Sequence, residues 1–310
     1  MSKQTNPMIS IVSPVYKAEK IIPLLVERIE KSVNKITTDY EIILVEDGSP
    51  DNCWGVILDI AKTNSKVKGV KLSRNFGQHP AIMAGLSQVK GEWIVVMDCD
   101  LQDQPEEIEK LYSKALEGFD VVFAKRNNRQ DGFFKKKFSK LFSMIFNYFA
   151  GTKFDNEIAN FGIYNKKVIV SVLNIGDYIK SFPLFVFFSG FKSTAIAVEH
   201  ASRESGTTSY SFSKLVSLAF NSIISYSNKP LKIFVKFGML ISLLSIIVGI
   251  VNLVLYFQGK IKVSGYSSII ISIWLLSGII ITVIGVVGIY VGKVFEQTKN
   301  RPSFIIDKII

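Results

Sequence analysis

The 310-residue chain is 48 % apolar and carries a formal net charge of +11, a composition richer in apolar residues than an ordinary soluble protein needs. No recognition-helix, zinc-finger or ribonucleoprotein signature accompanies the basic charge, so no nucleic-acid partner is expected. Only two cysteines, Cys53 and Cys99, exclude a disulfide framework or a structural zinc site and fit a reduced compartment.

Met1 to Ser10 is polar up to a short apolar stretch and lacks the basic-then-apolar pattern of a signal peptide, which predicts a first domain that stays in the cytoplasm. Met8 to Val12 reads as a buried strand, followed by a helix marked by Ile22, Leu25, Val26, Ile29, Val33 and Ile36. The next strand is Glu41 to Val45, ended by Asp47-Gly48-Ser49-Pro50, and a helix through Val56, Ile57 and Ile60 leads to the strand Val67 to Leu72. A helix over Ala81 to Val89, a strand over Glu92 to Met97, a helix begun by Pro105 and a strand over Phe119 to Ala124 complete the series. Strands separated by single helices predict an α/β fold with a largely parallel sheet and helices on both faces.

Ligands of such sheets gather beyond the carboxyl ends of the strands. Polar clusters fall at four of those ends: Ser13 to Tyr16, Glu46 to Ser49, Ser73 to Gly77 and Asp98 to Asp103. The spacing of Asp98, Asp100 and Gln102 offers two carboxylates and an amide to one hard divalent cation, Mg2+ or Mn2+, of the kind that neutralises a diphosphate. Asp103, two residues before Pro105, is expected to cap the following helix. His79 and His200 form no catalytic or metal pattern and are read as structural.

Four segments, Ser10-Ile11-Val12-Ser13-Pro14-Val15-Tyr16, Val45-Glu46-Asp47-Gly48-Ser49-Pro50-Asp51, Ser73-Arg74-Asn75-Phe76-Gly77 and Met97-Asp98-Cys99-Asp100-Leu101-Gln102-Asp103, closely resemble family 2 glycosyltransferases, in particular the polyprenyl-phosphate type related to dolichol-phosphate mannose synthase. The resemblance runs in order over almost the whole chain. It implies a GT-A fold, a divalent metal, a nucleotide-sugar donor and inversion at the sugar carbon. By position, Asp47 would contact the nucleobase side, with Pro14, Tyr16 and Asn75 also near the donor. Asp98, Asp100 and Gln102 would hold metal and diphosphate, and Arg126 and Arg203 would face phosphate groups. UDP-glucose is the first donor the resemblance suggests.

Two departures matter. Thr208 and Ser209 stand where relatives of this type have Ser and Lys, and Asn160-Phe161-Gly162 stands where many have Asp-Phe-Arg. An Asn cannot act as a general base. A lipid phosphate, with a second pKa of about 6, is already largely an oxyanion at neutral pH, so Asn160 favours a phosphate acceptor over a sugar hydroxyl. An altered acceptor served by Asp155 or Glu157 stays open, as do transfer to a lipid-linked saccharide and a non-catalytic nucleotide-sugar-binding scaffold.

The remaining sequence points to a bilayer. Phe134, Phe138, Leu141, Phe142, Ile145 and Phe149 share a helical face beside Lys135, Lys136, Lys137 and Lys140, the pattern of an interfacial helix over about 134–150. A second amphipathic helix is expected in 211–230. Two apolar segments, about 234–257 and 268–291, are each long enough to cross a membrane. Lys229, Lys232 and Lys236 before them and Lys293, Lys299 and Arg301 after them predict that both ends, with a catalytic domain over 1–210 and a tail over 293–310, lie on the cytoplasmic side of the cell membrane. That placement brings a polyprenyl phosphate within reach of a cytoplasmic donor, and it leaves a homo-oligomer open.

Overall fold

The structure, a computed structural model, describes residues 9–126, 148, 158–176, 181–199, 229–259 and 265–310. The chain divides into two units: Met1–Ser143, Lys153–Ser209 and Arg301–Ile310 form one, Met144–Thr152 and Tyr210–Asn300 the other.

The first unit is built on β1 (Ile9–Val15), β2 (Tyr40–Glu46), β3 (Val67–Leu72) and β4 (Trp93–Val96). These strands run parallel in the order β4-β1-β2-β3. Every residue of β1 and β2 is buried, as expected of central strands covered on both faces. One cover is α1 (Ile22–Val33), α2 (Cys53–Thr63) and α4 (Ile108–Ala115), and the other includes α3 (Gln78–Leu86). Pro23 sits in the first turn of α1, where its missing N–H costs nothing, and Ile22, Leu25, Val26, Ile29 and Val33 turn one stripe into the core.

The parallel pattern stops after β4. Strand β5 (Val121–Arg126) does not join β4 directly, as a simple continuation of the β-α series would have it. Strand β6 (Ile158–Asn165) runs antiparallel between them, and β7 (Ser193–Val198) lies parallel to β5 at one edge. Helices α5 (Lys166–Leu173) and α6 (Phe182–Phe188) cover this half with Val168, Phe182 and Phe185. The α/β class and the mostly parallel sheet hold; the added antiparallel strand comes from a segment with no strand-like alternation.

At the other edge, the expected tail folds back into the sheet. Strand β8 (Ile306–Ile309) pairs antiparallel with β3, giving the order β7-β5-β6-β4-β1-β2-β3-β8. Ser73 N–H donates to the Ile305 carbonyl at 3.0 Å, and Gly69 and Ile310 exchange backbone bonds. A side chain at residue 69 would press on both Ile57 and Ile310, with contacts of 2.7 and 2.9 Å from an added Cβ. Glycine is what lets the last strand lie flat there.

At the amino ends of the strands, the buried Glu41 carboxylate accepts Ser10 Oγ at 2.6 Å, Lys68 Nζ at 2.5 Å and Lys90 N–H at 2.6 Å. Gly91 N–H closes the network on Ser10 Oγ. One side chain thus joins β1, β2, β3 and the approach to β4, at the end of the sheet opposite the polar loops.

The second unit contains two long helices, α7 (Lys229–Phe257) and α8 (Tyr266–Thr298). Leu275–Thr298 of α8, whose most apolar 18 residues have mean hydropathy 2.4 and are not buried among the described residues, has the length and composition to cross a bilayer; among the described residues it is the one such stretch. All but Tyr148 of the helix expected over 134–150 and nearly all of that over 211–230 lie outside the described residues.

Candidate active site

The four loops at the carboxyl ends of β1 to β4 are tied to one another in a ring. The loop after β1 is bound to the loop after β2: Lys17 N–H donates to Ser49 Oγ at 2.8 Å, Glu19 N–H to Asp51 Oδ2 at 3.2 Å, and Ala18 N–H to Cys53 Sγ at 3.3 Å. Asp47 binds the loop after β3, accepting Phe76 N–H at 2.7 Å and Gly77 N–H at 2.9 Å. Next to it Gly48 has φ +59°, and an added Cβ would lie 2.3 Å from Asn75 N. Only glycine permits that approach. Gln78 Nε2 then donates to Asp98 Oδ1 at 2.6 Å. The ring closes at the strand ends, where Met97 N–H, just after β4, donates to the Val12 carbonyl of β1 at 3.1 Å, and Tyr16 and Cys99 from the two loops beyond line one cleft.

A cleft of about 470 Å³ opens within this ring, lined chiefly by Tyr16, Asp47, Asn75, Gln78, Asp98 and Asp100, with Pro14 beside them. Burial pushes the Asp47 carboxyl above the usual carboxylate range, against the pull of its two backbone donors and of Arg74. Burial also pushes the Cys99 thiol up to about 12, which leaves it protonated and unsuited to nucleophilic work. The chemistry of the cleft therefore rests on oxygen.

The acidic turn is held in a costly shape. Leu101, between Asp100 and Gln102, has φ +58°, and Lys17, after Tyr16, has φ +53°. Left-handed backbone at such side chains costs about 1–2 kcal/mol and collects at functional sites. Gln102 N–H donates to Asp100 Oδ1 at 3.1 Å, so the turn fixes the carboxylate it carries.

Of the residues singled out from the sequence, the structure brings together Pro14, Tyr16, Asp47, Asn75, Asp98 and Asp100. Gln102 is absent from the lining and acts on Asp100 through its backbone. Asn160 is also outside the lining; the β4–β6 pairing ends with Val96 opposite Gly162, two residues short of it. Arg126 ends β5, with its side chain outside the description, and Arg203 lies outside the described residues. Asp103 is not the expected cap: it is 2 % exposed, turned inward, and Gln104 occupies the cap position with no side-chain bond. Gln78 was missed, because a lone amide at a helix start carries no sequence signal.

Two hard carboxylates make up the donor set, and among the described residues no three His, Cys, Asp or Glu side chains gather around one point. That is too little for an all-protein metal cage. It fits a Mg2+ or Mn2+ ion that takes its other oxygen ligands from phosphate and water.

The profile "Glycosyl transferase family 2" matches residues 10–173, which include all four strand-end loops. The undecaprenyl-phosphate 4-deoxy-4-formamido-L-arabinose transferase of Photorhabdus laumondii subsp. laumondii is 31 % identical over 313 residues, covering 100 % of this chain and 96 % of that protein. The transferase of the same name from Yersinia enterocolitica is 33 % identical over 305 residues, covering 97 % and 93 %. Among solved structures, mannosyl-3-phosphoglycerate synthase from Rubrobacter xylanophilus aligns with TM-score 0.49 at 15 % identity, covering 83 % of this chain and 76 % of that one. A likeness of that degree bears on neither ligand nor reaction.

Proposed function

Since this chain belongs to glycosyltransferase family 2, we propose that it transfers a sugar from a nucleotide-sugar to a polyprenyl phosphate at the cytoplasmic face of the cell membrane. The observation that carries the reading is the cleft itself, in which Asp98 and Asp100 share one opening with Tyr16, Asp47 and Asn75. The acceptor class rests on the names of the full-length relatives, which act on undecaprenyl phosphate.

Asp98 and Asp100 would hold a Mg2+ or Mn2+ ion, which when bound supplies positive charge to the donor's diphosphate. Tyr16, 43 % exposed, offers a ring to a planar base at the rim. Asp47 serves the donor by fixing the Phe76–Gly77 backbone, and Asn75 presents an amide beside it. Gln102, Arg126 and Arg203 are further contacts for the diphosphate. An acceptor phosphate oxygen attacks the anomeric carbon as its bond to the diphosphate breaks, inverting that carbon. Such an oxyanion needs no proton removed, so Asn160 in place of a carboxylate is compatible with the reaction. Helices α7 and α8 would form a two-pass anchor that keeps the site beside its lipid.

The test is to incubate purified full-length protein with undecaprenyl phosphate, Mg2+ or Mn2+ and labelled donors including UDP-glucose and UDP-4-deoxy-4-formamido-L-arabinose, then separate the lipids. A metal-dependent labelled phospholipid is expected. Asp100→Asn should reduce it about 100-fold, a loss of about 2.7 kcal/mol of leaving-group stabilisation, while Asn160→Ala retains it. Extended saccharides as the sole product would sink the lipid-phosphate acceptor, and donor binding without transfer across the panel would favour a scaffold.

A further inference from the structure

We propose that Gln78 is a positioning residue, which orients the Asp98 carboxylate and so sets the affinity of the acidic turn for a divalent cation carrying a nucleoside diphosphate. The inference rests on the metal reading of Asp98 and Asp100 given above and adds a residue to it.

The bond from Gln78 Nε2 to Asp98 Oδ1, at 2.6 Å, is short and charge-assisted, the stronger class of hydrogen bond. It joins two different loops across the cleft that both residues line. An exposed amide contributes little if its own backbone is loose, but this one starts from a fixed point. Gln78 is the first residue of α3, and the two residues before it are bound through their N–H groups to Asp47. The backbone one step further back is pressed against Gly48. The order of control therefore runs from Asp47 to the Phe76–Gly77 backbone, to Gln78 and to Asp98.

The residue type matters as well. A lysine at position 78 would neutralise Asp98 and compete with the cation. A neutral amide fixes the carboxylate's rotation without bringing a competing charge, as groups behind metal ligands commonly do.

The variant that isolates this role is Gln78→Met, which keeps length and helix propensity but has no donor; Gln78→Ala is its companion should methionine disturb the fold. Full-length protein in detergent is titrated with Mn2+ in the presence of UDP, and free Mn2+ is followed by its paramagnetic resonance signal. Mn2+ affinity should fall about 10- to 100-fold, with the melting temperature unchanged. In the transfer assay the Mn2+ activation constant should rise by the same factor, and the rate at saturating Mn2+ should return to near the wild-type value. A merely structural defect would lower that maximal rate and leave the activation constant alone. If Asp98→Asn loses Mn2+ and both Gln78 variants bind it as wild type does, the positioning role is wrong while the metal site stands. If Asp98→Asn also binds Mn2+ normally, both fall together.

Discussion

Leu101 carries a left-handed backbone while its side chain packs against the core on the α1 face of the sheet. Packing and backbone therefore make opposite demands on any replacement. Valine preserves more apolar surface, but a β-branched residue is a severe outlier at positive φ; glycine forfeits the packing and accepts the backbone freely. Leu101→Val should accordingly damage transfer more than Leu101→Gly, with Asp100 displaced in the former. Parallel assays and melting curves would decide it, and the reverse order would mean that packing, not backbone shape, governs the turn.

Glu41 poses the opposite case, a buried carboxylate held well by its partners. Burial alone would raise its pKa, yet the bonds from Lys68, Ser10 and Lys90 N–H and the Lys68 charge outweigh that and hold it below the ordinary value of 4.5. A depressed carboxyl contributes stability that is complete above the unfolded value and is lost as pH falls through the folded one. Glu41→Gln should therefore flatten the loss of stability below about pH 4.5 and lower stability at pH 7 by about 3 kcal/mol, since Lys68 is left beside an uncharged partner. Denaturant titrations at pH 4 and pH 7 would measure both; equal losses at the two pH values would contradict the linkage.

Among the elements, β1 to β4 and their helices were legible because each is a compact apolar segment ended by Gly, Pro, Asp or Ser, and parallel order then sends all four loops to one side. Strand β5 was legible as well, expected over Phe119 to Ala124 and found at Val121–Arg126; the last three strands, β6 to β8, were not. Strand β6, Ile-Ala-Asn-Phe-Gly-Ile-Tyr-Asn, breaks alternation with Asn and Gly, β7 is short and half-exposed, and β8 has four residues with little core of their own. Each is a strand by virtue of the neighbour it pairs with, which no local pattern reports. Strand β8 nonetheless has weight: Phe304 and Ile306 pack on the α3 side of the sheet, and the strand covers the β3 edge. Removing 302–310 should cost about 2–4 kcal/mol in apolar burial and leave an open edge prone to self-association. Melting and size-exclusion profiles of the truncated protein would show both, whereas an unchanged, monodisperse profile would make β8 dispensable.

For the whole molecule, the ring of loops could be foreseen and its ties could not. Sequence order placed Asp47, Asp98 and Asp100 at one sheet edge, but that Asp47 spends its carboxylate on a neighbouring backbone, or that Gln78 reaches Asp98, depends on side-chain directions that only packing fixes. The apolar helices were legible from hydropathy, which depends on composition alone. Leu275, Leu276, Ile280, Ile281 and Ile284 are all exposed among the described residues, the exposure a membrane-spanning helix would have. Membranes from expressing cells should retain the full-length chain through alkaline carbonate extraction, and Ile280→Lys with Ile284→Lys should release a larger share, because each charge at a helix centre costs about 2.5–3.5 kcal/mol on insertion. Complete release of the wild type would show that the helix does not span.

The pairing of β3 with β8 joins residues near 70 to residues near 309. Protein synthesis runs from the amino end, so both long apolar helices are made before β8. The nascent catalytic sheet must wait with its β3 edge open while roughly 230 further residues are translated, some tens of seconds at bacterial or slower rates. Completion of the sheet is thereby ordered after emergence of the apolar helices, so that a chain stalled between them would carry an unsealed sheet, accessible to chaperones and proteases.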